Sequence, residues 1–154
     1  MGDWVLMSYR LPREPSTPRI TLWRRLRSLG VTQLLDGLVA LPLDPRNKEQ
    51  LEWLAQEVTE AGGTVTLWTA RPTSKEIERG LVEAMRQAIG SEYQQVVTEA
   101  DAAVSQPEAV RGRSLARLRR EMRRIRSRDY FQGANRERAA AAVERLASLT
   151  LTRR

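Results

Sequence analysis

The dipeptide Asp36-Gly37 stands between two short apolar runs, residues 31–35 and 38–41. Asp-Gly favours a tight turn that joins neighbouring antiparallel strands. The sequence therefore predicts a β-hairpin over residues 31–41. A hairpin requires an antiparallel pair of strands, which excludes all-helical folds and purely parallel α/β folds.

The residues before the hairpin predict one strand and one helix. Residues 4–9 form a short apolar and β-prone run, which is typical of a buried strand. Thr17 followed by Pro18 is a favourable helix start, because proline fits the first helical position, and Gly30 is a favourable stop. We therefore predict a strand followed by a helix that Thr17 caps.

The same kinds of element recur after the hairpin. Asp44-Pro45 repeats the cap-and-proline start and predicts a helix that ends at Gly62, and residues 64–70 alternate as a strand does. The resulting order is strand, helix, two strands, helix, strand. This order predicts an α+β fold, namely a ferredoxin-like βαββαβ antiparallel sheet with two helices, followed by an all-helical C-terminal extension.

The chain continues as a long helical run after the last predicted strand. We expect a helix over residues 74–104, with Ser74 as its cap, and we expect Gly90 to kink or divide it. Residues 105–112 include a proline and a glycine, so we expect them to form a surface connection.

Two further helices are predicted beyond that connection. An arginine-rich helix covers about residues 113–128, and an alanine-rich helix covers about residues 135–149. The predicted organisation is therefore a ferredoxin-like domain over residues 1–72 and a helical extension over residues 73–154.

The composition limits the chemistry that this chain can perform. It contains no cysteine and no histidine, which excludes disulfides, thiolate nucleophiles, iron–sulfur clusters and thiolate or imidazole zinc sites. It also lacks the side chain that most often serves as a general base near neutral pH. We therefore expect no catalytic residues, no cofactor and no metal site, and a protein that is not an enzyme.

The positive charge is concentrated in the C-terminal third. The chain has 26 basic and 19 acidic residues, a net charge of +7, and all but two of the basic residues are arginine. Residues 1–106 carry a net charge of −2, whereas residues 107–154 carry +9. A nearly neutral body joined to a strongly basic segment is typical of proteins that bind nucleic acid or an anionic surface.

The arginine-rich helix is the first candidate site. Four apolar side chains recur along it at helical spacing and predict one buried stripe: Leu115, Leu118, Met122 and Ile125. Seven arginines fall on the opposite face and on one flank, and we predict that they bind DNA: Arg113, Arg117, Arg119, Arg120, Arg123, Arg124 and Arg126.

Two other roles for these arginines stay open. Like charges this close together repel each other, so they need counter-charge. DNA phosphates would supply it, and so would the acidic side chains of the preceding helix, which are Glu76, Glu78, Glu83, Glu92, Glu99 and Asp101. In the remaining alternative the arginines only face solvent.

A second candidate site follows from the expected fold. If the first and third strands are parallel neighbours, both sheet helices begin at the same edge. Five cations would then surround two helix N-termini, where dipole and charge together favour an oxyanion such as chromate or sulfate. The five are Arg10, Arg13, Arg19, Arg46 and Lys48. The alternative is local pairing of these cations with Glu14 and Asp44.

Four tryptophans are a further candidate group. Trp23, Trp53 and Trp68 lie on elements that are predicted to pack, and Trp4 begins the first strand. We expect these rings to belong to the core. Stacking of nucleobases on an exposed sheet face is the alternative.

Short motifs in several places form a recognisable set. They are YRLPREPS at residues 9–16, WRRL at 23–26, EQLEWLA at 49–55 with EAGG at 60–63, and the stretch 126–131 before the last helix. Together they resemble the N-terminal domain of ChrB, the chromate-resistance regulator. The resemblance implies a bacterial cytoplasmic protein that binds promoter DNA and controls a chromate-efflux operon. In that family this domain precedes a second, chromate-responsive domain, which residues 1–154 do not include.

The predicted ferredoxin-like part is also similar to PaaX-type repressors and to the small CRISPR-associated nuclease-like proteins. Those nuclease-like proteins hold a divalent metal with an aspartate that follows a tyrosine at the end of the first strand. This chain has Tyr9-Arg10 there, and an arginine repels a cation. A metal-dependent nuclease would need Asp36, Asp44 and Glu49 to come together, and it is the weakest of the hypotheses.

The patterns and the resemblance together predict a DNA-binding transcriptional regulator of a chromate-resistance operon, with promoter DNA as its partner. We also expect a homodimer, an oxyanion ligand such as chromate or sulfate, and a cytoplasmic location. No apolar run is long enough to span a membrane. The alternative is a non-enzymatic oxyanion-sensing or protein-interaction and dimerisation module that does not bind DNA.

Overall fold

The structure, a computed structural model, describes residues 2–151. Its helices and strands are, in chain order, β1 (Trp4–Arg10), α1 (Thr17–Leu29), β2 (Thr32–Leu35), β3 (Leu38–Pro42), α2 (Pro45–Glu60), β4 (Thr64–Ala70), α3 (Lys75–Ala103), α4 (Glu108–Ser127) and α5 (Arg136–Leu151). The chain divides into two compact units, Met1–Val82 and Glu83–Arg154, and the division falls inside α3. The expected domain boundary at residue 72 stays a prediction.

The four strands form one antiparallel sheet in the order β2-β3-β1-β4. Trp4 is opposite Pro42 where β1 pairs with β3, and it is opposite Ala70 where β1 pairs with β4. The fold is therefore α+β with an antiparallel sheet, and the predicted hairpin is present as β2 and β3. The expectation that the first and third strands are parallel neighbours is wrong, because β1 and β3 run in opposite directions.

The hydrophobic core of the first unit lies between the sheet and its helices. α2 packs on β1 and β4, and α1 packs beside α2. Met7 and Val39 of the strands are fully buried, and so are Leu26 of α1 and Leu51 of α2. Burial of side chains this size is the main stabilising contribution to such a sheet-and-helix unit, at about 1.5–3 kcal/mol for each.

The two helix starts of this unit differ in detail. The Asp44 side chain accepts a hydrogen bond of 2.7 Å from the backbone N–H of Asn47, so the predicted cap of α2 is confirmed. The predicted cap of α1 is displaced by one residue, because Ser16 takes the cap position and Thr17 is already helical. Proline lacks an N–H and is tolerated anywhere in the first turn, so Pro18 does not fix the start to one residue.

The turn between β2 and β3 depends on a glycine. Gly37 has a backbone φ of +75°, which residues other than glycine rarely adopt. The Tyr9 N–H donates a hydrogen bond of 2.8 Å to the Gly37 carbonyl oxygen, which ties the turn to β1. A Cβ atom at residue 37 would lie 2.4 Å from the Tyr9 carbonyl oxygen. The close approach of the two backbones therefore requires glycine at this position.

In the second unit the helices share one core, in which Tyr93, Leu118, Ile125 and Leu146 are fully buried. α3 runs without a break through Gly90, so the expected division of the helix is wrong, whereas the expected kink stays a prediction. The glycine is needed for packing instead, because a Cβ atom there would lie 2.8 Å from the Ala134 side chain.

α4 begins at Glu108, earlier than the predicted start at residue 113. Pro107 occupies the cap position, and the acidic Glu108 suits the positive end of the helix dipole. The predicted surface connection over residues 105–112 is therefore shorter than expected. Among residues 2–151, no helix combines the length and the apolar character that a membrane span requires.

We expect Gly37→Ala to lower the free energy of unfolding by about 2 kcal/mol or more, because the new methyl group meets the Tyr9 carbonyl and the positive φ becomes strained. Gly80→Ala is the matched control. Gly80 lies in α3 with open space around its Cβ position, so this change should raise stability by up to about 1 kcal/mol. Urea denaturation of both variants measures the difference, and equal effects would contradict the proposed close approach.

Candidate nucleic-acid interface

The apolar stripe of α4 is buried as predicted. Leu115, Leu118, Met122 and Ile125 are all in the core of the helical unit. They recur at spacings of three and four residues, which places them on one side of the helix. The burial of this stripe fixes which side of α4 faces outward.

The seven predicted arginines lie on the outward side of α4 and are all exposed. At about 100° per residue they form two rows. One row is Arg113, Arg117, Arg120 and Arg124, directly opposite the buried stripe. The other row is Arg119, Arg123 and Arg126, along one flank. We call these seven residues the arginine face.

Only two members of the arginine face are ion-paired within residues 2–151. Arg117 bonds to Glu99 of α3 at 3.0 Å, and Arg124 bonds to Glu121 of its own helix at 3.3 Å. The other five form no ion pair with any described residue: Arg113, Arg119, Arg120, Arg123 and Arg126. The alternative in which the acidic side chains of α3 neutralise the face therefore accounts for a single arginine of the seven.

A depression of about 440 Å³ follows the first row of the arginine face. Arg113, Arg117 and Arg120 line it together with the small side chains of Ser114 and Ala116. Small residues between the arginines let an extended polyanion approach the helix closely. The surface along this row is thus shallow, open and cationic.

A buried carboxylate just beyond the end of α4 holds the helix in place. Asp129, whose side chain is 2% exposed, accepts a hydrogen bond of 2.8 Å from the Tyr93 hydroxyl of α3. Its other oxygen accepts one of 2.7 Å from the backbone N–H of Gly133, and Arg136 of α5 lies 3.9 Å away. Burial, with the hydrogen bond and negative charge of Asp129, raises the pKa of Tyr93, so its hydroxyl remains a donor at neutral pH.

Two more arginines anchor the ends of α4 and do not belong to the arginine face. Arg128 pairs with Glu92 of α3. Arg111 is buried and donates a hydrogen bond of 2.7 Å to the backbone carbonyl of Gln106. Sequence reasoning missed Asp129, Arg128 and Arg111 as positioning residues. Their positions in the sequence could have identified them, because they lie at the two ends of the helix and do not follow the regular spacing of the arginine face.

The five predicted anion-binding cations do not converge. Arg10, Arg13 and Arg19 follow the end of β1, whereas Arg46 and Lys48 follow the end of β3. Because β1 and β3 are antiparallel, these ends lie at opposite ends of the sheet, about 20 Å apart for strands of this length. The single five-cation site is therefore wrong.

Only one of these five cations is ion-paired within residues 2–151. Lys48 pairs with Glu52 one turn along α2, at 3.7 Å. Arg10, Arg13 and Arg19 form no ion pair within residues 2–151, so the expected local pairing with Glu14 or Asp44 is also wrong. Arg46 likewise forms no ion pair there.

The tryptophans are not a common core. Trp4 is buried, but Trp53 is 61% and Trp68 is 52% exposed, and Trp23 is also exposed. The expectation of core packing is therefore wrong for three of the four. Periodicity places these rings on helices and strands, but Trp53 falls outside the buried stripe of α2, and Trp68 lies on an edge strand.

The acidic residues of the nuclease hypothesis are also separated. Asp36 is in the turn at one end of the sheet, and Asp44 caps α2 at the other end. Among residues 2–151, no group of three or more carboxylates is close enough to hold a metal ion.

We expect Tyr93→Phe to lower the free energy of unfolding by about 1–3 kcal/mol, because Asp129 stays buried with one oxygen lacking its donor. Tyr9→Phe, at a half-buried tyrosine, is the control and should change stability much less. Because the folded pKa of Tyr93 is raised above 10.0, its contribution is complete below pH 10 and is lost as the pH rises further. Denaturant titrations across this range should show a steeper alkaline loss in wild type than in Tyr93→Phe, and parallel losses would contradict the hydrogen bond.

The family described as "Protein ChrB, N-terminal" matches residues 19–106. Protein ChrB of Cupriavidus metallidurans is 32% identical over 75 residues, which cover 49% of this chain and 23% of that relative. The chain thus spans about a quarter of the length of that relative. No solved structure matches.

The matched segment contains two of the stretches that carry the resemblance, residues 23–26 and 49–63, together with all of α3. It ends before α4, so the arginine face lies beyond it, as do residues 9–16 and 126–131. The match covers more than half of the chain, and the chain therefore belongs to the ChrB N-terminal family.

Proposed function

We propose that this chain is a DNA-binding transcriptional regulator of the ChrB type, which acts at the promoter of a chromate-resistance operon and has no enzymatic activity. The observation that carries the proposal is the arginine face, because five of its seven arginines lack an acidic partner within residues 2–151. Family membership supports the link to chromate resistance. The strand order β2-β3-β1-β4 supports a ferredoxin-like fold for the first unit.

DNA phosphates are the partner that this charge arrangement fits best. Unpaired arginines on one helix repel each other, and that repulsion is relieved when DNA phosphates neutralise them and the arginines displace the counterions condensed on the DNA. A guanidinium also makes two parallel hydrogen bonds to phosphate, which an ammonium group cannot do. The near-absence of lysine from the face suits this geometry.

The length of the face fits a short stretch of duplex. The distance along the helix axis from Arg113 to Arg124 is about 17 Å at 1.5 Å per residue. Phosphates advance along the duplex by about 3.4 Å per base pair on each strand, so the first row spans about five base pairs. The same row is available for bidentate contacts to guanine where α4 enters a major groove.

The triple variant Arg113→Gln, Arg120→Gln and Arg123→Gln tests the proposal. It removes three exposed, unpaired members of the face and leaves the ion-paired Arg117 and Arg124 in place. We expect weaker binding to a fragment from the promoter of the protein's own operon. The slope of log affinity against log salt concentration should fall by about 2–3, since each lost phosphate contact contributes about 0.9.

A charge-matched control separates the face from net charge. Arg25→Gln, Arg71→Gln and Arg145→Gln together also remove three positive charges, at exposed arginines that are paired with Glu57, Asp3 and Asp101. This control should retain the wild-type salt slope in fluorescence anisotropy titrations. Equal slopes for the two triple variants, or a wild-type chain that does not bind the fragment, would refute the proposal.

Oxyanion binding is a second candidate function. Because β1 and β3 are antiparallel, the candidate site includes only the cations at one end of the sheet. Three arginines lie between the last residue of β1 and the first turn of α1, and they form no ion pair within residues 2–151: Arg10, Arg13 and Arg19. Three unpaired guanidinium groups beside one helix N-terminus favour an anion such as chromate or sulfate. This is the site that the non-DNA-binding alternative, a sensing module, would use.

We expect chromate and sulfate to raise the melting temperature of the wild-type chain, because a ligand that binds only the folded state stabilises it. Arg13→Gln should reduce that increase, whereas Arg46→Gln should preserve it because residue 46 lies at the opposite end of the sheet. Differential scanning fluorimetry with chloride as the reference anion gives the measurement. An identical response of both variants would eliminate the site.

A further inference from the structure

The two edges of the sheet are built differently. β2 has four residues, and its register is irregular between Gln33 and Leu35. β4 has seven residues, and every one of them pairs in regular register with β1. Short strands and bulges are devices that stop an edge from pairing with another chain. The β2 edge carries both devices and the β4 edge carries neither.

The composition of β4 also leaves its edge unprotected. Its sequence, TVTLWTA, contains no charged residue and no proline. Thr64, Thr66, Trp68 and Thr69 are exposed. A long, regular and uncharged edge strand presents a row of backbone donors and acceptors to any strand that can align with it.

The hydrogen bonds of β1 establish which groups of β4 face outward. The backbone N–H of Tyr9 donates to the carbonyl of Gly37 on the β3 side. Backbone groups of successive residues point to alternate sides of a strand, so the N–H and C=O of Ser8 point toward β4. Thr66, the partner of Ser8, therefore faces β1, and its carbonyl accepts a hydrogen bond of 3.4 Å from the Ser8 hydroxyl. The backbone groups of Val65, Leu67 and Thr69 consequently point away from the sheet.

We propose that β4 is the homodimer interface, in which the β4 strands of two copies pair antiparallel about a two-fold axis at Leu67. Leu67 then lies opposite Leu67 of the second copy, and Val65 lies opposite Thr69. Each such pair exchanges two backbone hydrogen bonds, so the three pairs supply about six. The two four-stranded sheets become one continuous sheet of eight strands.

The side chains favour a second copy over another partner. In this register Thr66 lies opposite Trp68 of the second copy on the same face of the sheet. Trp68 is 52% exposed, and its Nε1 donates a hydrogen bond of 3.0 Å to the Ser8 hydroxyl, which holds the ring in position. A preorganised tryptophan that gains a neighbour is a typical source of interface energy. The strand offers no charge with which an acidic or basic peptide could pair.

Thr69→Lys tests the interface, because a lysine beside the outward backbone of Thr69 is the kind of charge that blocks edge pairing. Thr73→Lys adds the same charge at an exposed residue outside β4 and is the control. Sedimentation velocity up to about 0.1 mM, where a micromolar complex is mostly formed, should show dimers for wild type and control and monomers for Thr69→Lys. A monomeric wild type or a dimeric, folded Thr69→Lys overturns the proposal.

Cross-linking provides a second test that leaves the charge unchanged. The chain contains no cysteine, so a single introduced thiol reports contact between copies only. In the proposed register the two residues at position 66 are diagonal neighbours, about 7–8 Å apart. A short bismaleimide should cross-link Thr66→Cys efficiently and should fail with Thr73→Cys, which lies far from the axis. Cross-linking that is absent at residue 66, or equal at both positions, refutes the register.

The interface is independent of DNA binding by the arginine face. The Arg113, Arg120 and Arg123 triple variant changes α4 alone and should dimerise as wild type does. Loss of DNA binding with dimerisation intact therefore counts against the proposed function only. A monomeric wild type that still binds DNA counts against the β4 interface only.

Discussion

The helical unit depends on one buried carboxylate. Asp129 joins α3 through the Tyr93 hydroxyl, the following loop through the Gly133 N–H, and α5 through Arg136. A buried carboxylate is unfavourable unless its oxygens are satisfied, so the loss of any one of these partners lowers the stability of the unit. This requirement, together with the buried stripe, sets the rotation of α4 and hence the direction of the arginine face.

In α4 the packing of the apolar side stabilises the fold, whereas the repulsion between arginines on the exposed side destabilises it. Its apolar stripe contributes to the core, while its exposed side places seven like charges on one helix with Glu121 and Glu99 as their only ion-pair partners within residues 2–151. Replacing several of these arginines would relieve repulsion without disturbing the packing. Local arrangements that oppose stability are expected at functional sites, where a ligand supplies what the fold does not. The polyanion that we propose as the partner, DNA, would relieve this repulsion.

The sequence was most informative where a local rule determines the structure. The turn at Gly37, the Asp44 cap and the buried stripe of α4 each depend on residues close in the chain, and each was predicted. The two strands β1 and β3 are neighbours as expected, but their antiparallel direction was not predicted, because periodicity identifies a strand without giving its direction. Trp68 was misplaced for a different reason: it alternates with the half-buried Val65 and Leu67 and therefore lies on the opposite, exposed face of β4.

The antiparallel sheet also determines what an oxyanion can meet. Each sheet helix begins where its preceding strand ends, so opposite strand directions place the starts of α1 and α2 at opposite ends of the sheet. An anion near Arg10 therefore gains one helix dipole rather than two. Burial and the nearby negative charge of Asp36 raise the pKa of Tyr9, so its hydroxyl remains a neutral donor there. Because the negative charge of Asp36 would oppose an anion at this end, we expect any affinity for an oxyanion to come from the arginines.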